Sequence, residues 1–275
     1  MAEIESLFEP NLKMPESSIH ETAVVDERAR IGKSVTVGPY SIIGPEVVID
    51  DNTIVDNHVT VKGKTKIGKN NSIGPYTSIG LSAQDKAHRD EATEVVIGDF
   101  NEIREYVSIN RGTLGGTGAT KIGDHNQIMV GSHFGHDVSV GDHCMFANNT
   151  TFAGHVQVGS YVVTGGMSGI HQYCRIGNYS MLGSYSALYQ DLPPYLTCEG
   201  RRAQAFGLNT IGLKRNGFNK EEINQIQQIY NIFFSKGFIP KKAIEVMQAQ
   251  IPSGKILDVF VQFVAKTSRG IVAGG

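Results

Sequence analysis

The run His133-Phe134-Gly135-His136-Asp137 sets two histidines and a carboxylate within five residues. An imidazole changes charge near neutral pH and is the usual general base, and an adjacent carboxylate can orient it. A spacing of 18 residues then recurs: Gly154 follows His136 by 18, Gln172 follows Gly154 by 18, and His155 follows Asp137 by 18. If the chain coils with that period, His133, His136, Asp137, Gly154, His155 and Gln172 fall into one region, with His171 beside Gln172. His136 then serves as base, Asp137 as the group that orients it, and the N–H of Gly154 as a donor facing a developing oxyanion. The reaction class that fits is acyl transfer to a hydroxyl or amine. His20, His58, His88, His125 and His143 show no partner in register and read as solvated outer-face residues.

Such a coil is written into the chain. Aliphatic residues recur every six positions at Ile19, Val25, Ile31, Val37, Ile43, Ile49, Val55, Val61, Ile67, Ile73 and Ile79. The run breaks at Leu81–Thr93, resumes at Ile97, Ile103 and Ile109, and breaks again over Gly112–Thr120. It restarts in a new phase at Ile122 and continues to Leu188, where only Thr164 is not apolar. Small or β-branched residues such as Ser41, Thr53, Ser132, Cys144 and Cys174 sit four positions after the aliphatic one. These are the two inward positions of a hexapeptide β-helix, three hexads to a triangular coil; roughly 26 hexads give about eight to nine coils, each rising about 4.8 Å as parallel strands do. Gly often follows the aliphatic residue (Gly32, Gly38, Gly74, Gly123, Gly141), as expected of a turn with unusual backbone angles. After Pro193-Pro194 the period stops. Asn219-Lys220-Glu221-Glu222 reads as a capping box opening a helix with Ile223, Ile226, Tyr230 and Phe233 on one face, and further helices are expected around 241–250 and 255–266. The expected organisation is an N-terminal extension over 1–18, a β-helix over 19–192 and a small C-terminal α-helical domain over 193–275.

Composition excludes several function classes. Lys and Arg total 25 against 27 Asp and Glu, a net charge of −2, which gives no general grip on nucleic acid or anionic lipid. The leading residues carry Glu3, Glu5, Glu9 and Glu16 without an apolar run, unlike a signal peptide, and no stretch is long and apolar enough to span a membrane. Cys144, Cys174 and Cys198 are an odd number for a disulfide framework and lack metal-type clustering, so a reduced, cytoplasmic compartment is expected.

The stretches Arg111–Thr113 (RGT), His133–Asp137 (HFGHD), Ala147–Val156 (ANNTTFAGHV), Gly165–Gln172 (GGMSGIHQ), Gln190–Tyr195 (QDLPPY) and Gly207–Phe218 (GLNTIGLKRNGF) closely resemble the UDP-N-acetylglucosamine acyltransferase family of hexapeptide-repeat enzymes, over roughly residues 19–270. The resemblance implies an all-β left-handed parallel β-helix and a cytoplasmic homotrimer. It also implies transfer of a 3-hydroxyacyl group from acyl carrier protein to the 3-hydroxyl of UDP-N-acetylglucosamine, the first step of lipid A biosynthesis. It assigns His136 as base, Asp137 as its positioner and Gly154 N–H as oxyanion donor, and it places His133, His155, His171 and Gln172 in the pocket. Gln84 and Asp85 would meet the sugar, Asn209 and Arg215 the nucleotide, and Met181 and Ser184 the acyl chain. On charge alone, Arg201-Arg202 reads either as solvated surface or as a basic patch that meets an acidic carrier protein. No cofactor of the enzyme's own and no metal is implied, because the donor arrives as a thioester on phosphopantetheine. Two positions depart from the family pattern: Ile211 stands where many members carry an acidic residue, and Ala87 where a lysine is expected, unless Lys86 replaces it.

Other readings compete. The related N-acyltransferase of the same pathway usually carries an N-terminal uridine-binding domain, for which eighteen residues are too few. A zinc-binding β-helix of the carbonic anhydrase type needs a His-x4-His pair, which the chain lacks. A coenzyme A-dependent acetyltransferase, and a UDP-sugar with a 3-amino group as acceptor, stay open.

Overall fold

The computed structural model describes residues 18–89, 91–234 and 238–275. Residues 1–17, the bulk of the expected N-terminal extension, lie outside the described residues. From Ser18–Ile19 to Ala187–Leu188 the chain forms a succession of parallel strands, most of two residues, that wind into three sheets. The first face carries Ile19, Val37, Val55, Ile73, Ile103, Ile128, Phe146, Thr164 and Leu182; the second runs from Val25 to Leu188; the third runs from Ile31 to Ile176. Every strand pairs with its counterpart one coil on, as in Phe134↔Phe152 and Phe152↔Ile170. The repeat therefore sets the register directly, and the aliphatic column forms one continuous core. Ile43, Ile67, Ile97, Phe134 and Phe152 are all fully or almost fully buried, while Ile19 in the first coil is 49% exposed. Thr164 is tolerated inside because its hydroxyl meets that of Thr150 at 2.9 Å. The three cysteines are free and buried, and burial pushes their thiols up to about 12, about 11 and about 12 for Cys144, Cys174 and Cys198. They are inert packing residues.

The corners correct two expectations. The left-handed backbone found at most corners falls three residues after the aliphatic position and is taken mostly by non-glycine residues, among them Tyr76, His125, Asp137, His143, His155 and Tyr173, with Gly131 an exception. The glycines directly after most of the aliphatic residues serve a different purpose: a Cβ on Gly74 would sit 2.8 Å from Glu105 N and 2.9 Å from Arg104 C in the next coil. They are required by close approach between coils. The five histidines expected to lack partners have them: His58, His125 and His143 are stacked, the last two being themselves 18 residues apart, His20 meets the Thr22 hydroxyl at 3.0 Å, and His88 is buried against the Glu91 carboxylate. His58 lies between Tyr40 and Tyr76, with ring centroids 5.1 and 4.8 Å away. Phe100, His125, His143, Tyr161 and Tyr179 form a ladder up another corner at 4.7–4.9 Å per step. An outward ring at a corner therefore lies on the ring one coil above, at the strand spacing.

At the two breaks the coil step lengthens from 18 to 30 and then to 25 residues, while strand pairing continues beneath. The surplus chain leaves the prism as loops, described over 82–89 and 91–93 at the first break and over 112–118 at the second. Past Leu192, a hairpin of Leu196–Glu199 and Gln204–Leu208 extends the first face. Helices α1 (Thr210–Arg215), α2 (Lys220–Phe234), α3 (Pro240–Gln250) and α4 (Lys255–Ala265) follow. The capping box forms in both directions, Asn219 N to Glu222 Oε2 at 2.8 Å and Glu222 N to Asn219 Oδ1 at 2.9 Å. The buried face of α2 is Ile226, Ile229 and Ile232, rotated from the expected stripe, with Ile223, Tyr230 and Phe233 at its margins. Arg175 on the third face ties α4 to the prism: it lies 4.1 Å from the Phe263 ring, donates to the carbonyls of Phe263 and Lys266, and pairs with the fully buried Asp191 at 3.2 Å.

Substitution Gly74→Ala should cost about 1–3 kcal/mol by overpacking, because only backbone surrounds the added methyl. Gly115→Ala, with open space around it, should be neutral. Equal melting temperatures for the two variants would refute the close-approach account.

Candidate active site

The corner between the second and third faces carries residues 135–137, 153–155 and 171–173 in three successive coils. Asp137 stands there in the left-handed conformation at φ 61° with its side chain out of solvent. A buried carboxylate is costly unless its lone pairs are satisfied, and the loop at the second break supplies what is needed. Thr113 donates its N–H at 3.1 Å and its hydroxyl at 2.7 Å; Thr117 donates its N–H at 2.8 Å and Gly118 its N–H at 3.1 Å. The Thr120 hydroxyl accepts from Asp137 N at 2.9 Å. Gly116 is tight against the carboxylate, since a Cβ there would lie 2.4 Å from it. Burial alone pushes Asp137 up, but hydrogen bonds from His136, Thr113 and Thr117 outweigh it and hold the carboxyl below its ordinary value.

The remaining bond of Asp137 fixes His136. Nδ1 of His136 is 3.0 Å from Asp137 Oδ2. An ionised carboxylate only accepts, so Nδ1 carries the proton and Nε2 keeps its lone pair. Nε2 lies against Gly154: a Cβ on Gly154 would come within 2.6 Å of it. His155 N donates to His136 O at 2.9 Å and Tyr173 N to Gly154 O at 3.2 Å, the coil ladder at this corner. The N–H of Gly154 has no hydrogen-bond partner among the described residues. His155 stacks on Tyr173 at 4.4 Å and stands edge-on to His136 at 4.9 Å, with Nδ1 3.9 Å from Asp137. Burial lowers its proton affinity, Asp137 partly opposes this, and His136 adds to it. His133, on the second face, has its Nδ1 2.7 Å from the Ser108 hydroxyl and is likewise lowered by burial. Ligand atoms of His136, Asp137 and His155 lie within 4.8 Å of one another. A cation there would compete with the donors that already occupy both oxygens of Asp137.

The hexapeptide transferase repeat model matches residues 28–63 and 119–154, and the model for domain 2 of UDP-N-acetylglucosamine O-acyltransferase matches 191–272. The acyl-[acyl-carrier-protein]–UDP-N-acetylglucosamine O-acyltransferase of Thermodesulfovibrio yellowstonii is 43% identical over 255 residues, covering 93% of this chain and 99% of that one. Its Myxococcus xanthus counterpart is 40% identical with the same coverage. The chain belongs to the UDP-N-acetylglucosamine O-acyltransferase family. The solved UDP-N-acetylglucosamine acyltransferase of Francisella novicida superposes with a TM-score of 0.91 at 37% identity, covering 93% of this chain and 94% of that chain. The fold shared with these acyltransferases is the left-handed β-helix with C-terminal helices.

The other residues expected to act in an acyltransferase of this family fall in several places. His171 and the exposed Gln172 continue the corner above Gly154. Asp85 is near enough for its charge to act on His155, while Gln84, Lys86 and Ala87 beside it are exposed. Asn209 and Arg215 are elsewhere in the chain. Asn209 caps α1, accepting from Gly212 N at 3.1 Å and donating to Tyr179 O at 2.9 Å on the third-to-first corner, and Arg215 is exposed at the far end of that helix beside Lys214. Ile211, in the first turn of α1, is 67% exposed. Met181 lies on the first face; Ser184 lies on the first-to-second corner, packed over Gly165. Arg201 and Arg202 are exposed at the tip of the hairpin.

Sequence spacing missed the groups that hold Asp137, namely Thr113, Thr117, Gly118 and Thr120. The signal was present as an interruption of the repeat rich in Thr and Gly. Thr113→Val removes the shortest of these bonds from a buried charge and should cost about 1.5–3 kcal/mol in chemical denaturation, and Thr113→Ser should restore most of that. His133 and His155 hold their protons less firmly in the fold than in the unfolded chain, where imidazole titrates near 6.5. The unfolded chain therefore binds protons first, and stability declines as pH falls below about 6.5. Melting temperatures from pH 7.5 to 5.5 should fall less steeply for the double variant His133→Gln/His155→Gln; parallel slopes would contradict this.

Proposed function

We propose that the chain transfers a 3-hydroxyacyl group from acyl carrier protein to the 3-hydroxyl of UDP-N-acetylglucosamine, the opening step of lipid A biosynthesis, and that His136, Asp137 and Gly154 carry the chemistry. The observation that supports this most directly is the pairing of an Asp137-bonded His136 with a glycine whose N–H is unclaimed. Nε2 of His136 takes the proton of the sugar hydroxyl as its oxygen attacks the thioester carbonyl. The negative charge that develops on the carbonyl oxygen is met by Gly154 N–H. Collapse of the tetrahedral intermediate breaks the C–S bond, and the departing phosphopantetheine thiolate recovers the proton from the imidazolium. Asp137 stabilises that imidazolium without itself becoming protonated, consistent with a carboxyl held below its ordinary value. The thioester is already activated, so the reading calls for no cofactor or metal of the enzyme's own.

His133, His155, His171, Gln172, Gln84 and Asp85 then line the acceptor pocket. Asn209, Arg215, Met181 and Ser184 sit on other corners or faces from His136. In the proposed homotrimer a neighbouring subunit supplies them, so nucleotide and acyl chain are held between two chains. Arg201 and Arg202 present a basic tip to acidic carrier protein, which the net charge of −2 would otherwise repel. Among the described residues no helix is long and apolar enough to cross a membrane; the proposed setting is cytoplasmic.

His136→Ala should lower turnover about 10²- to 10⁴-fold while leaving the assembled protein folded, and near-normal turnover would sink the mechanism. Gly154→Ala should also be strongly impaired, because its methyl occupies the space of the His136 ring. A ladder of 3-hydroxyacyl carrier proteins offered with UDP-N-acetylglucosamine and its 3-amino analogue tests donor and acceptor together. Preference for the amine, or for acetyl-coenzyme A, would replace the O-acyl reading.

A further inference from the structure

Behind His171 lies a cation that the mechanism does not use. Arg269 belongs to the tail after α4, and its Nη2 is 3.1 Å from His171 Nδ1 and 3.3 Å from Tyr189 O. The tail is pinned on both sides of it by one residue. Asp191, fully buried, accepts from Thr267 Oγ1 at 2.8 Å; its N–H donates to Gly270 O at 2.8 Å; its carbonyl accepts from Val272 N at 3.0 Å. Arg175 N also donates to Asp191 Oδ1, at 2.9 Å, so the anchor is itself fixed. Arg269 is thus carried on a short span with little freedom. Its Nε is buried without an acceptor, a cost that a freely disposed surface arginine would not bear.

A guanidinium has donors and no acceptor. At 3.1 Å it requires a lone pair on His171 Nδ1, which puts the proton of the neutral ring on Nε2. The competing partner of Nδ1 is the carbonyl of Gln172, 3.3 Å away, and it would need the opposite tautomer. That arrangement sets an N–H against a guanidinium N–H, so the shorter contact decides.

We propose that Arg269 is a positioning residue that holds His171 in its Nε2–H form, so that His171 presents a hydrogen-bond donor to an acceptor oxygen of the substrate. The proposal rests on the reading of His171 as a pocket residue. Lys266 and Ser268 of the same tail line a cavity of about 340 Å³ with Asp137, His155 and Tyr173. The C-terminal tail therefore borders this corner at more than one point.

The test is long-range ¹H–¹⁵N spectroscopy of the full-length protein labelled at histidine, with kinetics of two variants. In the unsubstituted protein His171 should show the Nε2–H pattern; finding the Nδ1–H tautomer overturns the proposal without any variant. Arg269→Met should release His171 toward Nδ1–H and lower kcat/KM about 10-fold or more, chiefly through KM for the acceptor. Arg269→Lys, which retains an obligate donor, should recover much of both. In a double-mutant cycle, Arg269→Met should add little to His171→Ala, since it acts through that ring. Additive losses, or an unchanged tautomer in Arg269→Met, refute the positioning role. Full activity of His171→Ala alongside a shifted tautomer would instead remove His171 from the pocket, leaving the Arg269 contact a structural one.

Discussion

The rise of one parallel strand per coil is the constraint on which the molecule depends. Because each strand pairs only with its counterpart one coil on, every side chain stands at a fixed step above the one that precedes it by a coil. Inside the prism this produces a core column of Ile, Val and Phe with no choice of register. Outside, it brings rings into stacks at 4.7–4.9 Å. Between coils it leaves no room for a Cβ at positions such as Gly74, so glycine is kept there for space, whereas the left-handed corner two residues on accepts His, Tyr, Asn and Asp. The site obeys the same step: His136 can lie against the backbone of residue 154 because that residue is one coil above and has no side chain.

A uniform coil cannot bury a charge, however, since its corner residues face water. Asp137 occupies a corner position and yet is out of solvent because the chain departs from the prism one coil earlier and folds back over it. The lengthened step of 25 residues gives the extra chain that brings Thr113, Thr117 and Gly118 onto the carboxylate. Strand pairing continues underneath, so the excursion adds a polar cover without disturbing the register that aligns His136 with Gly154. The regular coil sets the distances within the site, and the irregular loop sets its protonation.

This division also decides how much was legible in the sequence. The coil, its period, the stacking of Gly154 on His136 and the capping box at Asn219 could be read because each depends on local repetition or on a short contact in sequence. The stack of His125 on His143 obeys the same arithmetic, but outward rings that only lie on one another carry no chemical signature to set them apart from solvated residues. What spacing could not give were contacts made by chain that leaves the repeat: the threonines over Asp137, the hairpin at Leu196–Leu208, the short helix α1, and Arg269 reaching His171 across 98 residues. The buried stripe of α2 shifted for a related reason. A helix face is chosen by what it docks on, and Ile229 and Ile232 join the main core while Ile226 joins the smaller cluster with Tyr195 and Leu213.

The C-terminal segment then has a second consequence beyond closing the end of the prism. Asp191 is the point where the last coil, Arg175 and the returning tail converge: two of its contacts are with Arg175 and three with the tail, at Thr267, Gly270 and Val272. A buried ion pair of this kind is a weak source of net stability, because desolvation offsets most of the attraction, but removing one partner leaves the other stranded. Its value lies in specifying one placement for the tail. With Thr267 and Gly270 both tied to Asp191, the backbone that carries Arg269 is fixed on both sides, and its guanidinium meets His171. A docking interaction at the base of the helical region is thereby transmitted as a fixed donor beneath the corner that carries His136 and Gly154, which gives the helices a part in the order of the site as well as in the stability of the fold.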